Sequence, residues 1–372
     1  MPTNIEWTDE TWNPITGCSI KSPGCRGCYA MQLAATRLKH HPSRAGLTHE
    51  VNGHHVWTGE VRFNEQWLDQ PLKWRRPRMI FVCAHGDLFH EDVPDEWIDR
   101  VFAVMALAPQ HTFQVLTKRS DRMRAYLGAD RLPVRWANDG EIAARIASTA
   151  LDSFRNAGRI YQAGFPLPNV WLGVSVEDQV RADERIPDLL ATPATVRFLS
   201  CEPLLGPIAL TRIHETWLEE GGGRTDAWES CLNGKRFDEW GDGDIEGCPK
   251  VDWVICGGES GPRARPMHPD WARSLRDQCA AAGVPFFFKQ WGAWGPDTGP
   301  GGDVDRTGLP RDRIMEGAGP CAVLVDQSWR HFADGYEPPI ELCSGHAEFV
   351  YRLGKSRNGR LLDGVTHDGL PA

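Results

Sequence analysis

Short apolar runs rich in Val, Ile and Phe recur along the chain, and most are followed by a segment whose apolar positions repeat at helical spacing. RMIFVCA (78–84) precedes PDEWIDRVFAVMALA, where Trp97, Val101 and Met105 fall on one face beside Ile98 and Phe102, and Pro94 suits a first helical turn. TFQVLTK (112–118) precedes SDRMRAYL, and NVWLGVSVE (169–177) precedes RADERIPDLLA. TVRFLSCEP (195–203) comes next. VDWVICGGE (251–259) precedes HPDWARSLRDQCAAAG, where Trp271, Leu275 and Cys279 form a stripe and Gly283 marks the stop. VPFFFKQWG (284–292) ends the series. These six runs are predicted strands. Two weaker ones precede them: residues near 4–8, and GEVRF (59–63), itself followed by NEQWLDQPLKW.

Strand–helix alternation predicts parallel pairing, and near-continuous apolar strands predict a sheet covered on both faces. The expected fold class is α/β: a (β/α)8 or partial TIM-like barrel with insertions. An open doubly wound sheet is the competitor, disfavoured because no G-x-G-x-x-G fingerprint follows an early strand. The barrel domain is expected over 1–292, with insertions at 122–168 and 211–250, and 293–372 as an irregular C-terminal extension packing on the barrel. Ile142, Ile146, Ala150 and Phe154 predict an extra helix in the first insertion. GPDTGPGGDVDRTG (295–308) reads as a loop, and EFVYRLGKSRNGRLLDG (348–364) as a short helix or strand with basic residues.

Composition changes this picture little. Hydrophobic residues make up 41% of the 372 and charged residues 24%, enough apolar surface for a large core. Sixteen tryptophans point first to core packing. The formal net charge of -9 is uneven, because residues 215–250 hold ten acidic and four basic side chains. The remainder is near neutral, so charge neither demands nor excludes a nucleic-acid partner. MPTNIEWTDE carries no signal-peptide pattern and no apolar run reaches a membrane span, so a cytoplasmic protein without a membrane partner is expected. Eleven dispersed cysteines do not resemble a secreted disulfide framework.

The densest chemistry lies in TWNPITGCSIKSPGCRGCY (11–29), where Cys18, Cys25 and Cys28 are spaced C-x6-C-x2-C. Gly17, Gly24 and Gly27 free the backbone, and Pro14 and Pro23 restrict it. Three thiolates suit a [4Fe–4S] cluster with one iron left without a protein thiolate. Zinc is the alternative, completed by a distant cysteine or by His40, His41, His54 or His55, none at zinc-finger spacing. A turn with merely buried thiols is the third reading.

In a barrel, polar residues at strand C-termini converge on one mouth. Asp87, His90, Lys118, Glu202 and Lys289 are the candidate catalytic groups there. Asp87 and His90 suggest an acid–base pair, Lys118–Arg119 could bind phosphate or carboxylate, and Glu202 could orient a substrate. Ser175 and Glu177, with Gly257, Gly258, Glu259 and Ser260, are candidate cofactor-binding residues. Ser175 lacks a nucleophile-elbow context. Solvated strand ends and helix caps are the plain alternatives. Cys83, Cys201 and Cys256 lie in apolar strands and read as inert thiols. Cys231 and Cys248 could form a second metal site, at no strong spacing.

The chain resembles a bacteriophage family of three-cysteine-motif proteins of unknown function. The resemblance rests on TWNPITGCSIKSPGCRGCYA, GDLFHEDVP, FQVLTKR, VWLGVSVED, FLSCEPLLGPI, VICGGESGPRARPMHPDW, FFFKQWGAW and GKSRNGRLLDG, which span nearly the whole chain. That family in turn resembles radical S-adenosylmethionine enzymes, which usually carry C-x3-C-x2-C; here the first gap is six residues. The resemblance implies that Cys18, Cys25 and Cys28 hold three irons and that the fourth binds the amino and carboxylate groups of S-adenosylmethionine. One-electron cleavage would then leave a 5′-deoxyadenosyl radical, with an electron donor as a further partner. A GGE strand end, as at 257–259, contacts the methionine amino group in those enzymes, although it lies late in this chain. Phage encoding would place the protein in the host cytoplasm and raises DNA as a partner.

The expected substrate is a nucleic-acid base or a protein. LKWRRPR (72–78), with Lys73, Arg75, Arg76 and Arg78 around Trp74, and the tail residues Arg352, Lys355, Arg357 and Arg360 could track a phosphate backbone. The competing reading is therefore a zinc-stabilised nucleic-acid-binding module without redox catalysis. A metal-dependent hydrolase ranks last, for want of H-E-x-x-H or a similar ligand pattern.

Overall fold

The computed structural model describes residues 3, 5–128, 164–218, 224–238, 247–296, 321–325, 328–332 and 349–371. Its centre is a parallel sheet of seven strands: β1 (Glu10–Trp12), β2 (Met79–Val82), β3 (Thr112–Thr117), β4 (Val170–Ser175), β5 (Val196–Cys201), β6 (Trp253–Gly257) and β7 (Phe286–Gln290). Their order across the sheet is their order along the chain. An order that never reverses has no topological switch point, so the doubly wound sheet is not what forms. The helices that follow β2, β3, β4 and β6 pack into one core against one face of the sheet, and the sheet curls into half a barrel.

Five helices matter for the site: α1 (Tyr29–Ala35), α2 (Asp95–Leu107), α3 (Ser120–Leu127), α4 (Gln179–Ala191) and α5 (Pro269–Ala282). The last four arise where the apolar periodicity predicts them. α5 starts at His268, whose side chain accepts from Asp270 N, and stops at Gly283, held at φ 68°. Pro94 sits just ahead of α2 as its N-cap residue. The strands alternate faces as period two demands. Ile80, Val82, Val115, Leu172, Leu199 and Val254 join the helices in the main core. Phe81, Phe198, Trp253, Ile255 and Phe287 turn inward with Trp7, and Leu116 and Trp171 pack against them. Trp253 is the hub of this aromatic floor, with ring centroids 5.8–6.3 Å from Trp7, Trp171, Phe198 and Phe287.

Three expectations change. The first strand is Glu10–Trp12, because Glu10, Thr11 and Trp12 pair with Ile80, Phe81 and Val82; residues 5–8 lie outside it. GEVRF is not a barrel strand: Arg62–Phe63 pairs antiparallel with Ile15–Thr16, bracing the chain after β1. Among the described residues the sheet therefore has seven strands, and β1 does not pair with β7. NEQWLDQPLKW forms only a 3-10 turn (Glu65–Trp67) and a four-residue helix (Gln70–Lys73).

The acidic insertion contains a three-stranded antiparallel sheet, Ile213–Leu218, Arg224–Ser230 and Lys235–Asp238. The helix expected around 142–154 lies outside the described residues. The C-terminal segment covers the free edge of β7: Phe288 N donates to His367 O at 2.9 Å, and Gly369 N to Phe286 O at 3.1 Å. Trp253 Nε1 donates to Gly369 O at 2.7 Å, tying this segment to the aromatic floor. Among the described residues no helix is long and apolar enough to cross a membrane.

Gly173 faces the buried Phe198 ring on the adjacent strand, and a Cβ there would come within 2.6 Å of the ring carbons. Gly173→Ala is therefore expected to cost about 1–3 kcal/mol by overpacking, seen as a lower urea midpoint at unchanged slope.

Candidate functional site

The cysteine loop leaves β1 and folds over the end of the sheet at which the strands finish. Asn13 Oδ1 accepts from His85 N at 2.9 Å, and Gly17 N donates to His85 O at 3.1 Å, so the loop is laced to the segment after β2. Asn64 Nδ2 donates to Asn13 O and to Thr16 Oγ1, both at 3.2 Å. Gly17 has φ 93°, and a Cβ would lie 2.1 Å from Glu60 O, so only glycine serves there. A 3-10 turn (Pro23–Cys25) leads into α1.

Cys18, Cys25 and Cys28 are free and half-buried. They are electrostatically coupled to one another, and polar donors face two of the sulfurs. Arg119 Nη1 lies 3.6 Å from Cys18 Sγ, and Lys21 N lies 3.5 Å from Cys25 Sγ. Burial first, then the Asp87 charge, pushes the Cys18 thiol up to about 12, against the opposing pull of Arg119. Burial likewise raises Cys28. Without a bound cation both stay protonated at neutral pH, which argues against a free thiolate nucleophile. Among the described residues no three His, Cys, Asp or Glu side chains are grouped to hold one metal ion. His54 instead bonds Arg263, and His41 bonds Ser43.

Three arginine–carboxylate pairs grip the loop. Glu177, fully buried, accepts from Arg185 Nη1 at 3.0 Å and from Gly24 N at 3.2 Å. Burial alone would raise its carboxyl, but Lys118, Arg185, Ser22 and the Gly24 amide outweigh it and hold it below the usual carboxylate range. Glu259 is clamped by Arg265 through Nε at 2.8 Å and Nη2 at 2.6 Å, while Arg265 Nη1 donates to Pro23 O at 3.0 Å. A Cβ on Gly27 would lie 2.1 Å from Glu259 Oε1, so the loop is pressed directly onto this carboxylate. Asp87 accepts from Thr117 Oγ1 at 2.7 Å and from Arg119 Nη1 at 3.1 Å. Arg119, 1% exposed, also donates to Glu91 and to Ser19 Oγ, both at 2.6 Å.

The Asp87 and His90 side chains are not hydrogen-bonded to each other. His90 Nδ1 accepts from Asp92 N at 3.1 Å, which leaves Nε2–H to donate to Ser19 Oγ at 3.0 Å. Burial, then the Arg119 charge, lowers the His90 pKa, so the ring is neutral at pH 7. Both residues hold the loop; their acid–base pairing is not what the geometry makes.

The remaining candidates lie at or just past the C-terminal ends of the strands. Glu202 and Lys289 form an ion pair at 3.1 Å across β6, where Gly257 leaves room: a Cβ there would lie 2.6 Å from Glu202 Oε1. Gly258 packs on the backbone of Trp291, and Ser260 Oγ accepts from Gln290 at 3.1 Å. Ser175 is buried and its carbonyl accepts from Arg185 at 2.7 Å. Lys118 gives its backbone N–H to Asp87, and its ammonium lies within electrostatic range of Cys28 and Glu177. Tyr29, next to Cys28, is 48% exposed and its hydroxyl donates to Ala84 O at 2.7 Å. Arg119, read from the sequence as a carboxylate or phosphate binder, holds the Asp87 carboxylate; Arg185, Arg265, Ser200 and Tyr29 complete the site without having been candidates. For Ser200 a signal existed: period two from Phe198 puts Ser200 and Glu202 on one face. For Arg185 and Arg265 none did, since each meets its carboxylate only in the fold.

Other groups are committed elsewhere. Cys83, Cys201 and Cys256 are buried, as expected of inert thiols, and Cys231 Sγ bonds Leu210 O at 3.2 Å. In LKWRRPR, Trp74 packs on the core, Arg78 pairs with Glu10 at 2.5 Å and Lys73 with Asp69 at 2.7 Å. In the tail, Lys355 pairs with Glu6 at 3.2 Å, and Arg360 bonds Lys289 O at 3.1 Å. The basic segments thus spend much of their charge within the fold.

Removing Arg119 strands the buried Asp87 carboxylate. Arg119→Met is expected to lower stability by about 3–5 kcal/mol, measured by urea unfolding. Near the loop, burial and the Arg44 charge lower the His85 pKa from 6.5 to about 4. The unfolded chain therefore takes up a proton before the folded one does, so stability falls as pH drops from 6.5 towards 4. His85→Gln should flatten that part of the stability–pH profile in thermal melts.

No curated protein and no solved structure matches the chain. The model of a family described as "Protein of unknown function (DUF5131)" matches residues 2–371, and on that whole-length match the chain belongs to the DUF5131 family.

Proposed function

We propose that the protein is an iron–sulfur enzyme of radical S-adenosylmethionine type, built on a partial (β/α) barrel, whose reaction chamber is the concave end of the sheet beneath the cysteine loop. The observation that carries this reading is the position of Cys18, Cys25 and Cys28: coupled, half-buried thiols on a pinned loop over the strand ends. A donor set of three thiolates suits a [4Fe–4S] cluster, in which each would bind a different iron. N–H groups facing Cys18 and Cys25 suit coordinated thiolates.

In this reading Cys18, Cys25 and Cys28 hold the cluster, leaving one iron for S-adenosylmethionine. When bound and reduced by an external electron donor, the group supplies one-electron cleavage of a sulfonium carbon–sulfur bond. The chain's own residues do the rest. Asp87, His90, Glu177 and Glu259 fix the loop. Lys118, Ser175, Glu202 and Lys289 face the chamber, where the Glu202–Lys289 pair can orient a substrate group and exchange a proton with it. The aromatic floor closes the chamber from below. The proposed substrate remains a nucleic-acid base or a protein.

Anaerobic reconstitution with iron and sulfide is expected to give a reducible cluster, seen by electron paramagnetic resonance, and 5′-deoxyadenosine from S-adenosylmethionine. Cys18→Ser, Cys25→Ser and Cys28→Ser should each abolish both. Stoichiometric zinc with no cluster would overturn the reading in favour of a zinc-stabilised module.

A further inference from the structure

We propose that Lys118, Ser175 and Ser200 form a phosphate-binding subsite inside the chamber, so that the substrate carries a phosphoryl group. Thr117 pairs with Val174, and Ser175 with Ser200, so Lys118, one residue past the end of β3, stands level with Ser175 on β4 and Ser200 on β5. Adjacent strands lie about 4.8 Å apart, a span that a lysine side chain bridges. All three continue the inward-facing series: Lys118 follows Leu116 by two, Ser175 follows Trp171 by four, and Ser200 follows Phe198 by two.

The three side chains have donors to spare. Ser175 and Ser200 are each 2% exposed, yet neither hydroxyl has a hydrogen-bond partner among the described residues. Neither oxygen is sealed from solvent, unlike the buried Ser230 Oγ. Each hydroxyl is thus reachable from solvent and free to bond an incoming acceptor. The Lys118 ammonium likewise makes no ion pair or hydrogen bond among the described residues. The neighbouring carboxylates are occupied, Glu177 by Arg185 and Gly24, and Glu202 by Lys289. An incoming anion therefore meets a cation that makes no direct pair, although it acts on Glu177 and Cys28 at longer range, and two neutral donors. Three donors on three strands suit the three oxygens of a tetrahedral phosphoryl group better than the two of a planar carboxylate.

This inference rests on reading the concavity as the reaction chamber, but not on the identity of the metal. The test is calorimetric titration of the full chain, as isolated, with inorganic phosphate and separately with acetate, alongside phosphorus NMR line broadening. Saturable phosphate binding, stronger than that of acetate, is expected. Lys118→Met should weaken it about tenfold or more, as for loss of a charge-assisted bond, and Lys118→Arg should restore part of it. The double change Ser175→Ala and Ser200→Ala should weaken it several-fold, while Lys39→Met, at an exposed site in the turn after α1, should leave it unchanged. Equal phosphate binding by wild type and Lys118→Met, stronger acetate binding, or no saturable binding overturns the subsite. Iron loading is measured on the same samples. Phosphate binding without a cluster would sink the enzymatic reading and leave the subsite standing.

Discussion

The molecule depends on three arginine–carboxylate pairs that hold one loop in place. Arg119 with Asp87 reaches Cys18 and Ser19, Arg185 with Glu177 reaches Gly24, and Arg265 with Glu259 reaches Pro23 and the Gly27 backbone. The carboxylates come from after β2, β4 and β6, so the loop is held at points spread across the sheet. Burying such pairs costs desolvation, and their net contribution to stability is small or unfavourable. What they provide is position: a guanidinium with several directed donors bonds a carboxylate and a loop atom at once. The glycines complete the arrangement, since any side chain at Gly27 would strike Glu259.

Below the loop the inner face has two levels. The lower is apolar, with Trp7, Phe81, Phe198, Trp253 and Phe287 filling the curve of the sheet. The upper is small and polar, with Ser175, Ser200 and Gly257 beside Lys118, Glu202 and Lys289. Large rings below give a rigid base, and small residues above leave volume. The strands change from aromatic to small polar residues over about one period-two step. Ordered aromatic packing beneath a polar layer is also a way to keep water from one side of a reacting group.

Charge distribution follows the same division. Carboxylates that touch the loop are neutralised by arginines, and Glu202 is neutralised by Lys289, whereas the Lys118 ammonium makes no direct pair among the described residues and acts on Glu177 and Cys28 at longer range. The basic segments at 72–78 and in the tail, which look like an interface in isolation, give Arg78, Lys73 and Lys355 to internal pairs with Glu10, Asp69 and Glu6, while Arg75 and Arg76 stay exposed.

The sequence alone determined the six main strands and the helices α2–α5, because period-two and period-3.6 patterns are local and need no partner. It also determined the three-thiol motif and the set of polar strand ends, since both are matters of spacing. It could not place the first strand, because three residues gain strand geometry only by pairing with β2, nor could it see that GEVRF would brace the chain after β1 from outside the sheet. The roles of the polar residues were decided by the tertiary structure alone. Asp87, Glu177 and Glu259 read like chamber groups until Arg119, Arg185 and Arg265, distant by 6 to 32 residues, arrive to claim them. Which charged group ends up paired and which stays free is a property of three-dimensional proximity, and no local pattern encodes it.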